Sequence, residues 1–312
     1  MVRKLIRAAI NTYHAVHRID ALASNTLSLL AREEIRRLQA RELQRNPVRP
    51  AGHAFRAFSQ NDEDGILQEV FRRIGTTNQS FVEIGCGGGL ENSTTYLLLC
   101  GWPGVWVDGS SEDISAVRRL HKSAIEAEKL KAACCMIAAE NINETLTSLG
   151  VTQDIDLLSI DIDGNAYWVW AALRCVTPRA MIVEYNATFP PPVGVVQAYH
   201  PDARWDGTSC FGASLTALEQ LGRSKGYSLA GCNLTGINAV FVGDDCLTDQ
   251  FAQPYAAQYH YMEPNYDLFP AARYQAHPAG IGELVTLRDD LRIRPEPQRR
   301  SAKYLGSTPT LG

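Results

Sequence analysis

The sequence lacks several features that would assign a protein at once to a broad class. No stretch reaches the roughly 18 consecutive apolar residues that a membrane span needs. The N-terminus has basic residues but neither an apolar core nor a small-residue cleavage site, so we expect a cytoplasmic rather than a secreted protein. With 30 Lys and Arg against 34 Asp and Glu, the formal net charge of −4 argues against nucleic-acid binding driven by overall charge.

The eight cysteines do not have the spacing of a metal or redox motif. None belongs to a C-x-x-C pair, and no spacing of Cys and His resembles a zinc site. Several lie in apolar runs, as Cys134 and Cys135 do, where cysteine behaves as a small hydrophobic residue. We therefore expect free thiols in a reducing compartment rather than disulfide bonds.

Residues 1–50 differ from the rest of the chain, because they contain ten Lys and Arg but only four Asp and Glu. Apolar residues at helical spacing predict a helical arm over 1–45, with a break near Ser24 and Asn25 between two stripes. The stripes are Ile6, Ile10, Tyr13 and Val16, then Leu27, Ala31, Ile35 and Leu38. Such an arm indicates self-association or packing on its own domain, and peripheral contact with an anionic membrane is the alternative.

Length and composition allow one large domain with extensions, since 312 residues at 45% hydrophobic content can bury a sizeable core. Breaks in the pattern predict an arm and linker over 1–50, a main domain over 51–250 and a C-terminal extension over 251–312. Pro47, Pro50 and Gly52 mark the linker. The tail from Pro295 onward is polar and predicted to be loosely ordered.

The main domain alternates between strand-like and helix-like segments, which is the pattern of a doubly wound α/β sheet. The predicted strands are 81–85, 104–108, 132–138, 155–161, 180–185, 227–231 and 238–242. The predicted helices between and after them are 92–100, 111–128, 141–149, 166–175 and 213–225. The short connection before the last strand predicts an antiparallel pair, whereas the connection 187–211 is long enough to suggest a functional role.

The most informative stretch is FVEIGCGGG at residues 81–89, where a strand leads into a glycine-rich turn and then a helix. Such a turn lets the backbone approach a bound nucleotide, because glycine has no side chain and adopts positive φ without penalty. The dinucleotide fingerprint G-x-G-x-x-G fails at its third glycine, which is Leu90 here.

In a second frame the same turn reads E-x-G-x-G-x-G, which resembles motif I of the class I S-adenosylmethionine-dependent methyltransferases. The residues of that frame are Glu83, Gly85, Gly87 and Gly89. The segments SQNDEDGIL (59–67), GVWVD (104–108) and SIDIDGN (159–165) further resemble the FkbM-like branch of that superfamily, whose members methylate hydroxyl groups on sugars and natural products.

The resemblance covers residues 59–243 and implies a Rossmann-like, seven-stranded sheet that is mostly parallel with an antiparallel last strand. It implies S-adenosyl-L-methionine as the cofactor and the hydroxyl of a small molecule or glycan as the acceptor. It also implies that the segment with Gln60 and Asp64 folds over the cofactor. Asn92, which opens the helix after the glycine turn, is a further candidate for contact with the cofactor. From the residues alone, the segment at 59–67 predicts only a capped helix start.

Three carboxylates are candidates for direct contact with the cofactor. Asp108 ends the second strand, where a carboxylate can accept the ribose hydroxyls, although capping of the next helix is an alternative. Glu83 would lie near the cation and amine of the cofactor, since a carboxylate on a strand is costly to bury without a positive partner. Glu140 follows the third strand, where this fold commonly contacts adenine, and a helix start capped by Asn141 fits equally well.

Acidic residues also follow the fourth and fifth strands, whose carboxyl ends are expected to meet at one edge of the sheet. Asp161, Asp163 and Glu184 would repel one another unless a cation lies among them, either the sulfonium or Mg²⁺. Catechol O-methyltransferase-like enzymes hold a metal at similar positions, which implies Asp161, Glu184 and Asn186 as ligands, although Glu replaces Asp and Tyr185 intervenes. Without a metal, Asp163 is the candidate general base and Asn186 positions the acceptor.

His200, in the connection 187–211, is a second candidate base because histidine titrates near neutral pH, with an idle surface histidine as the alternative. The neighbouring stretch DARWD (202–206) resembles a polar lid with an aromatic residue that could hold a sugar. Two rival functions stay open. One is a nicotinamide-dependent oxidoreductase, which Leu90 disfavours, and the other is a non-catalytic scaffold recruited through its basic arm.

Overall fold

Mostly apolar strands form the centre of the structure, a computed structural model that describes residues 2–247 and 249–269, with side chains from residue 10 onward. The strands are β1 (Phe81–Ile84), β2 (Gly104–Asp108), β3 (Leu130–Cys134), β4 (Asp154–Ile160), β5 (Thr177–Glu184), β6 (Tyr227–Cys232) and β7 (Asn238–Gly243). All four residues of β1 are buried, so both faces of the sheet are covered at its centre.

The seven strands form one sheet in the order β3-β2-β1-β4-β5-β7-β6. The first five pair in parallel, whereas β7 runs antiparallel to both β5 and β6. This confirms the predicted Rossmann-like sheet of the methyltransferase type with its antiparallel strand near the edge. Because β1 pairs with β2 on one side and β4 on the other, the strand order reverses at β1, and a crevice opens beyond its carboxyl end.

The helices connect the strands and precede them. They are α1 (Val2–Arg45), α2 (Glu63–Ile74), α3 (Thr95–Leu99), α4 (Ser111–Leu120), α5 (Lys122–Glu126), α6 (Ile142–Ser148), α7 (Ala166–Ala172), α8 (Leu215–Ser224) and α9 (Ala257–His260), with 3-10 turns at Pro50–His53 and Tyr266–Leu268. Between them and the sheet lies one apolar core, whose largest fully buried side chains include Trp106 and Trp170.

Most predicted elements differ by a few residues from their bounds in the structure, and two of these differences shape the crevice. β3 begins two residues earlier than predicted and ends at Cys134, because Cys134 pairs with Asp108 at the end of β2. Residues 135–138 therefore leave the sheet. The predicted helix 111–128 is interrupted at His121, whose Nε2 donates to the Gly89 carbonyl oxygen at 2.8 Å and so supports the glycine turn.

α1 is one continuous helix, so the predicted break near Ser24 and Asn25 is wrong. The hydroxyl of Ser24 donates to the Asp20 carbonyl at 2.7 Å, a local bond that keeps a polar residue compatible with the helix. The C-terminal half of α1 is anchored by buried Ile35 and Leu38 and by a buried ion pair between Glu42 and Arg49.

The part of α1 from residue 10 to residue 30 exposes many large apolar side chains, which are Ile10, Tyr13, Val16, Ile19, Leu22, Leu27, Leu29 and Leu30. Self-association and membrane contact through this arm stay predictions. Across residues 2–247 and 249–269, no helix combines the length and the apolar content required to cross a bilayer. All eight cysteine thiols are free.

Residues 251–269 pack on the main domain, since Phe251, Ala257 and Met262 are buried. The Tyr185 hydroxyl, at the end of β5, donates to the Met262 carbonyl at 3.0 Å and fixes this segment against the sheet. The predicted tail from Pro295 onward lies outside the described residues.

His260, on α9, is fully buried, and burial lowers its pKa to about 3, an effect to which the positive charge of Arg49 adds. The ordinary value is 6.5, so between these two pKa values the unfolded chain binds a proton that the folded chain excludes. This part of the stability is therefore present above the unfolded pKa and is lost as the pH falls toward the folded value.

We expect the free energy of unfolding, measured with urea, to decrease as the pH is lowered from about 7 to about 4. This decrease should be smaller in His260→Leu than in the wild type. His14→Leu serves as the matched control, because it removes an exposed histidine on α1 instead of a buried one. An identical slope for wild type and His260→Leu would contradict this account.

Candidate active site

A cavity of about 530 Å³ lies beyond the carboxyl ends of β1 to β4, where the strand order reverses. Its walls include the glycine turn, Asp108 after β2, Met136 after β3, and Asp161 after β4. Such volumes are typical of small-molecule sites, which occur at this edge in open α/β sheets. The cavity therefore brings the predicted glycine, ribose and acidic positions together at one place.

Gly85 has φ +86°, and a Cβ atom added there would lie 1.7 Å from the Asp161 carbonyl oxygen. The chain thus needs glycine at this position, because the turn after β1 and the end of β4 are in backbone contact. Gly87 has φ +52°, but its missing Cβ faces open space at the cavity wall. Gly85 is therefore constrained by the fold, whereas Gly87 leaves room for a ligand to approach the main chain.

Asp108 joins the glycine turn to the next strand. Its carboxylate accepts hydrogen bonds from the backbone N–H of Gly87 at 2.9 Å and of Ser110 at 2.8 Å, and it lines the cavity. The N-cap of α4 is Ser110, whose hydroxyl accepts from Asp113 N–H at 3.2 Å. Capping of α4, the alternative role considered for Asp108, is therefore performed by Ser110. Asp108 remains available to accept hydroxyl donors from a ligand.

Glu83 lies behind the glycine turn and is not on the cavity wall. Its buried carboxylate accepts from the side chain of Asn92 at 2.6 Å and from the backbone N–H of Ser93 at 2.8 Å and Thr94 at 3.2 Å. Burial raises the pKa of Glu83, and these donors oppose that rise. Glu83 and Asn92 thus fix the chain between the turn and α3, a structural position that differs from the direct cofactor contact predicted for them.

Asp64 and Gln60 also lie away from this cavity. The Asp64 carboxylate accepts from the backbone N–H groups of Ala57, Phe58 and Ser59 at 2.7 to 2.9 Å, and so shapes the segment before α2. Gln60 lines a second cavity of about 350 Å³. Neither side chain contacts the cavity at the glycine turn, so direct contact with a cofactor bound there is not supported by their placement.

Glu140 is exposed and accepts a hydrogen bond from the Tyr199 hydroxyl, which in turn accepts from Ala139 N–H at 3.2 Å. These bonds tether the connection 187–211 to the loop after β3. The cavity wall at this point consists instead of Cys135, Met136 and Ile137, residues that the sequence placed inside a strand. An apolar wall suits a flat aromatic ring better than a carboxylate does.

The predicted acidic residues lie near one another at the ends of β4 and β5, but Glu184 is not on the cavity wall. Asp161 and Asp163 line the cavity. Burial raises the pKa of Asp161 to about 7, and the charges of Glu83, Glu63, Asp163 and Asp108 add to the effect. Burial likewise raises the pKa of Glu184, and Asp161 and Asp163 contribute. The crevice is therefore a region of negative potential that favours a bound cation.

Asn186 does not join this cluster. Its amide nitrogen donates to the carbonyls of Ser209 and Phe211 at 2.8 and 2.9 Å, and its oxygen accepts from Thr188 N–H at 3.1 Å. Within the described part of the chain, no group of three His, Cys, Asp or Glu side chains could hold a metal ion. The residues therefore do not fit the predicted magnesium site, and Asn186 instead organises the long connection.

His200 is exposed on the connection 187–211 and is not on the cavity wall. Its Nδ1 accepts from Asp202 N–H at 3.2 Å, and its carbonyl accepts from the Asn165 side chain at 2.8 Å. Pro201, Ala203 and Arg204 line the cavity in its place. Two residues of the stretch 202–206, Ala203 and Arg204, therefore lie on this wall, where Arg204 supplies a cation. The role of that stretch as a lid that holds a sugar stays a prediction.

Comparison with known proteins finds similarity to solved structures only. Neither a scan against protein-family models nor a search of curated proteins finds a match. Similar solved structures include an S-adenosylmethionine-dependent methyltransferase from Clostridium acetobutylicum ATCC 824, at 12% identity and TM-score 0.37, covering 57% of this chain and 89% of that chain. A methyltransferase from Geobacter sulfurreducens has 14% identity and TM-score 0.36, covering 57% and 76%.

A third similar structure is a glycopeptide N-methyltransferase complexed with S-adenosyl-L-methionine, at 14% identity and TM-score 0.34, covering 57% of this chain and 86% of that chain. At these identities and TM-scores the similarities establish neither a family nor an activity for this chain.

Gly85 and Gly87 should respond differently to the same substitution. We expect Gly85→Ala to lose about 4 kcal/mol of unfolding free energy or to fail to fold, because its Cβ would overlap the Asp161 carbonyl. Gly87→Ala, the matched control, should lose only about 1–2 kcal/mol, the cost of a left-handed backbone with a side chain. Urea unfolding followed by circular dichroism measures both, and equal losses would contradict the assigned contact.

Proposed function

We propose that the protein is an S-adenosylmethionine-dependent methyltransferase of the FkbM-like kind that transfers a methyl group to a hydroxyl of a sugar, glycan or glycosylated natural product. The observation that carries the proposal is the cavity at the reversal of strand order, which has glycine backbone on one wall and a strand-end carboxylate, Asp108, beside it. This combination suits an adenosyl ligand, whose ribose needs an acceptor and whose bulk needs the space that Gly87 leaves.

The wall residues offer one contact for each part of that cofactor. Asp108 would accept the ribose hydroxyls, and Met136 and Ile137 would pack on the adenine ring. Asp161 would lie nearest the positive sulfur, because it directly follows β4 and its backbone is in contact with Gly85. The glycine turn itself would contact the amino-acid part through main-chain groups.

S-Adenosylmethionine supplies an electrophilic methyl group when it is bound, and the chain must then activate and orient the acceptor. An aliphatic hydroxyl is a poor nucleophile unless its proton is removed as it attacks. Asp163 lines the cavity and is exposed to it, so we assign it as the general base. The Asp163 carboxylate would take the hydroxyl proton as the acceptor oxygen attacks the donated methyl group, with S-adenosylhomocysteine as the leaving group.

The rival functions fit the site less well. A nicotinamide dinucleotide would need close contact at the third glycine of its fingerprint, where this chain has Leu90. A scaffold would have no use for several carboxylates that raise one another's pKa values around an open cavity, since that arrangement costs stability. Buried acids beside a large cavity are therefore better explained by binding of a cationic ligand.

We expect S-adenosylhomocysteine to bind the wild-type protein in isothermal titration calorimetry, and NAD not to bind. Asp108→Asn should weaken the binding of S-adenosylhomocysteine by roughly 10- to 100-fold, because it replaces a charged acceptor with an amide that accepts less strongly. Asp202→Asn, on the exposed part of the long connection, should bind as the wild type does. Binding of NAD but not of S-adenosylhomocysteine would exclude the proposed function.

Once an acceptor that supports turnover has been found among hydroxylated glycosides, the two base candidates can be separated. We expect Asp163→Asn to lower kcat by roughly 100-fold with little change in affinity for S-adenosylhomocysteine, and His200→Ala to retain activity. Liquid chromatography of the methylated product measures both. A large loss of kcat in His200→Ala with Asp163→Asn active would reverse the assignment.

A further inference from the structure

The second cavity has a built-in charge that the proposed chemistry does not use. It measures about 350 Å³ and is lined by Arg56, Gln60, Asn61, Glu91, Ile237, Tyr266 and Phe269. These residues come from the segment before α2, the end of the glycine turn, the β6–β7 turn and the segment near residue 269. The cavity thus lies at the same edge of the sheet as the glycine turn, the edge formed by the carboxyl ends of the parallel strands.

Arg56 is the reason to expect a ligand in this cavity. Its side chain is only 3% exposed, and its Nη2 lies 3.2 Å from the Glu91 carboxylate. Its Nε and Nη1 atoms are buried and have no hydrogen-bond partner among the described residues. A guanidinium carries five N–H donors, and leaving several of them buried without an acceptor is costly.

The surroundings of Arg56 favour an anion over a neutral ligand. Glu91 is 43% exposed, so water screens its negative charge. Glu91 therefore neutralises the buried guanidinium of Arg56 only in part. Gln60 and Tyr266 add neutral hydrogen-bonding groups to the same walls. A carboxylate or phosphate group could use the free donors of Arg56 in charge-assisted hydrogen bonds, which a sugar hydroxyl would form less strongly.

We propose that Arg56 and the walls of this second cavity form a subsite for a carboxylate or phosphate group. Two sources can supply that group: an anionic acceptor, or the amino-acid carboxylate of the cofactor. The assignment of a source rests on the proposed function, whereas the anion subsite itself does not. If the acceptor supplies the anion, the substrate class narrows to hydroxyl compounds that carry an acidic group.

The first measurement uses inorganic phosphate as the probe. At constant ionic strength, about 20 mM phosphate in place of chloride should raise the wild-type Tm by roughly 2–4 °C through preferential binding to the folded state. Arg56→Gln should abolish the shift, and Glu91→Gln should enlarge it, because it removes the anion that competes for the guanidinium. Arg36→Gln is the matched control, since Arg36 forms an exposed pair with Glu33 on α1.

The second measurement identifies the source with two ligands that differ in the amino-acid part. S-Adenosylhomocysteine has the carboxylate, and 5′-methylthioadenosine lacks the whole amino-acid portion. If the cofactor supplies the anion, Arg56→Gln should weaken S-adenosylhomocysteine by roughly 10- to 100-fold and leave 5′-methylthioadenosine unchanged. Phosphate should then raise the Tm of the free protein but not of the protein saturated with S-adenosylhomocysteine.

If the acceptor supplies the anion, both nucleosides should bind Arg56→Gln and the wild type equally, and the phosphate shift should persist in the presence of S-adenosylhomocysteine. A wild-type protein that binds neither nucleoside but keeps the Arg56-dependent phosphate shift would remove the proposed function and leave the subsite. Absence of any Arg56-dependent effect of phosphate or of the carboxylate overturns the subsite. Arg56→Lys, which keeps the charge but loses the planar donor set, should give an intermediate phosphate shift.

Discussion

The site depends on one buried carboxylate, Glu83, and on the donors that surround it. A charged group at the centre of a parallel sheet is costly to bury, and here the donors are Asn92, Ser93 and Thr94 in the chain after the glycine turn. The Thr94 hydroxyl also accepts from the indole N–H of Trp106 on β2 at 2.7 Å. The glycine turn is therefore stabilised by a hydrogen-bond network that links β1, β2 and the start of α3.

With the turn fixed in this way, its backbone can meet the end of β4 without a side chain between them. The contact of Gly85 with the Asp161 carbonyl brings the acidic end of β4 up to the cavity. His121 supports the other side of the turn through the Gly89 carbonyl. The geometry of the cavity is thus a consequence of packing around β1, and the carboxylates at its edge are placed by the strands that carry them.

The charges of the two cavities are opposite in character. At the first cavity several carboxylates face one another, and Arg204 of the long connection is a cation on the same wall. At the second cavity a buried guanidinium pairs with a partly exposed carboxylate, that of Glu91. A ligand that has a positive centre and a negative group could use both environments, as could a cationic cofactor paired with an anionic acceptor.

The sequence predicted the parts of the site that depend on local geometry. The predicted residues Gly85, Gly87, Asp108, Asp161 and Asp163 do line one cavity, because strand ends and a glycine turn have fixed positions in a doubly wound sheet, and their roles toward a cofactor stay predictions. Side chains in loops were harder. Glu140, Asn186 and His200 each have a plausible position in the sequence, but their hydrogen bonds are made with the long connection or within it.

By itself the sequence determined the alternation of strands and helices and the glycine turn, since these follow from apolar periodicity and backbone freedom, whereas the seven-stranded sheet was implied by the family resemblance. Only the tertiary structure decided which polar groups face a cavity and which are already hydrogen-bonded to other parts of the protein. That outcome depends on contacts between distant segments, such as Arg56 with Glu91 and Tyr199 with Glu140. No local pattern encodes such contacts, because each partner is fixed by a different part of the fold.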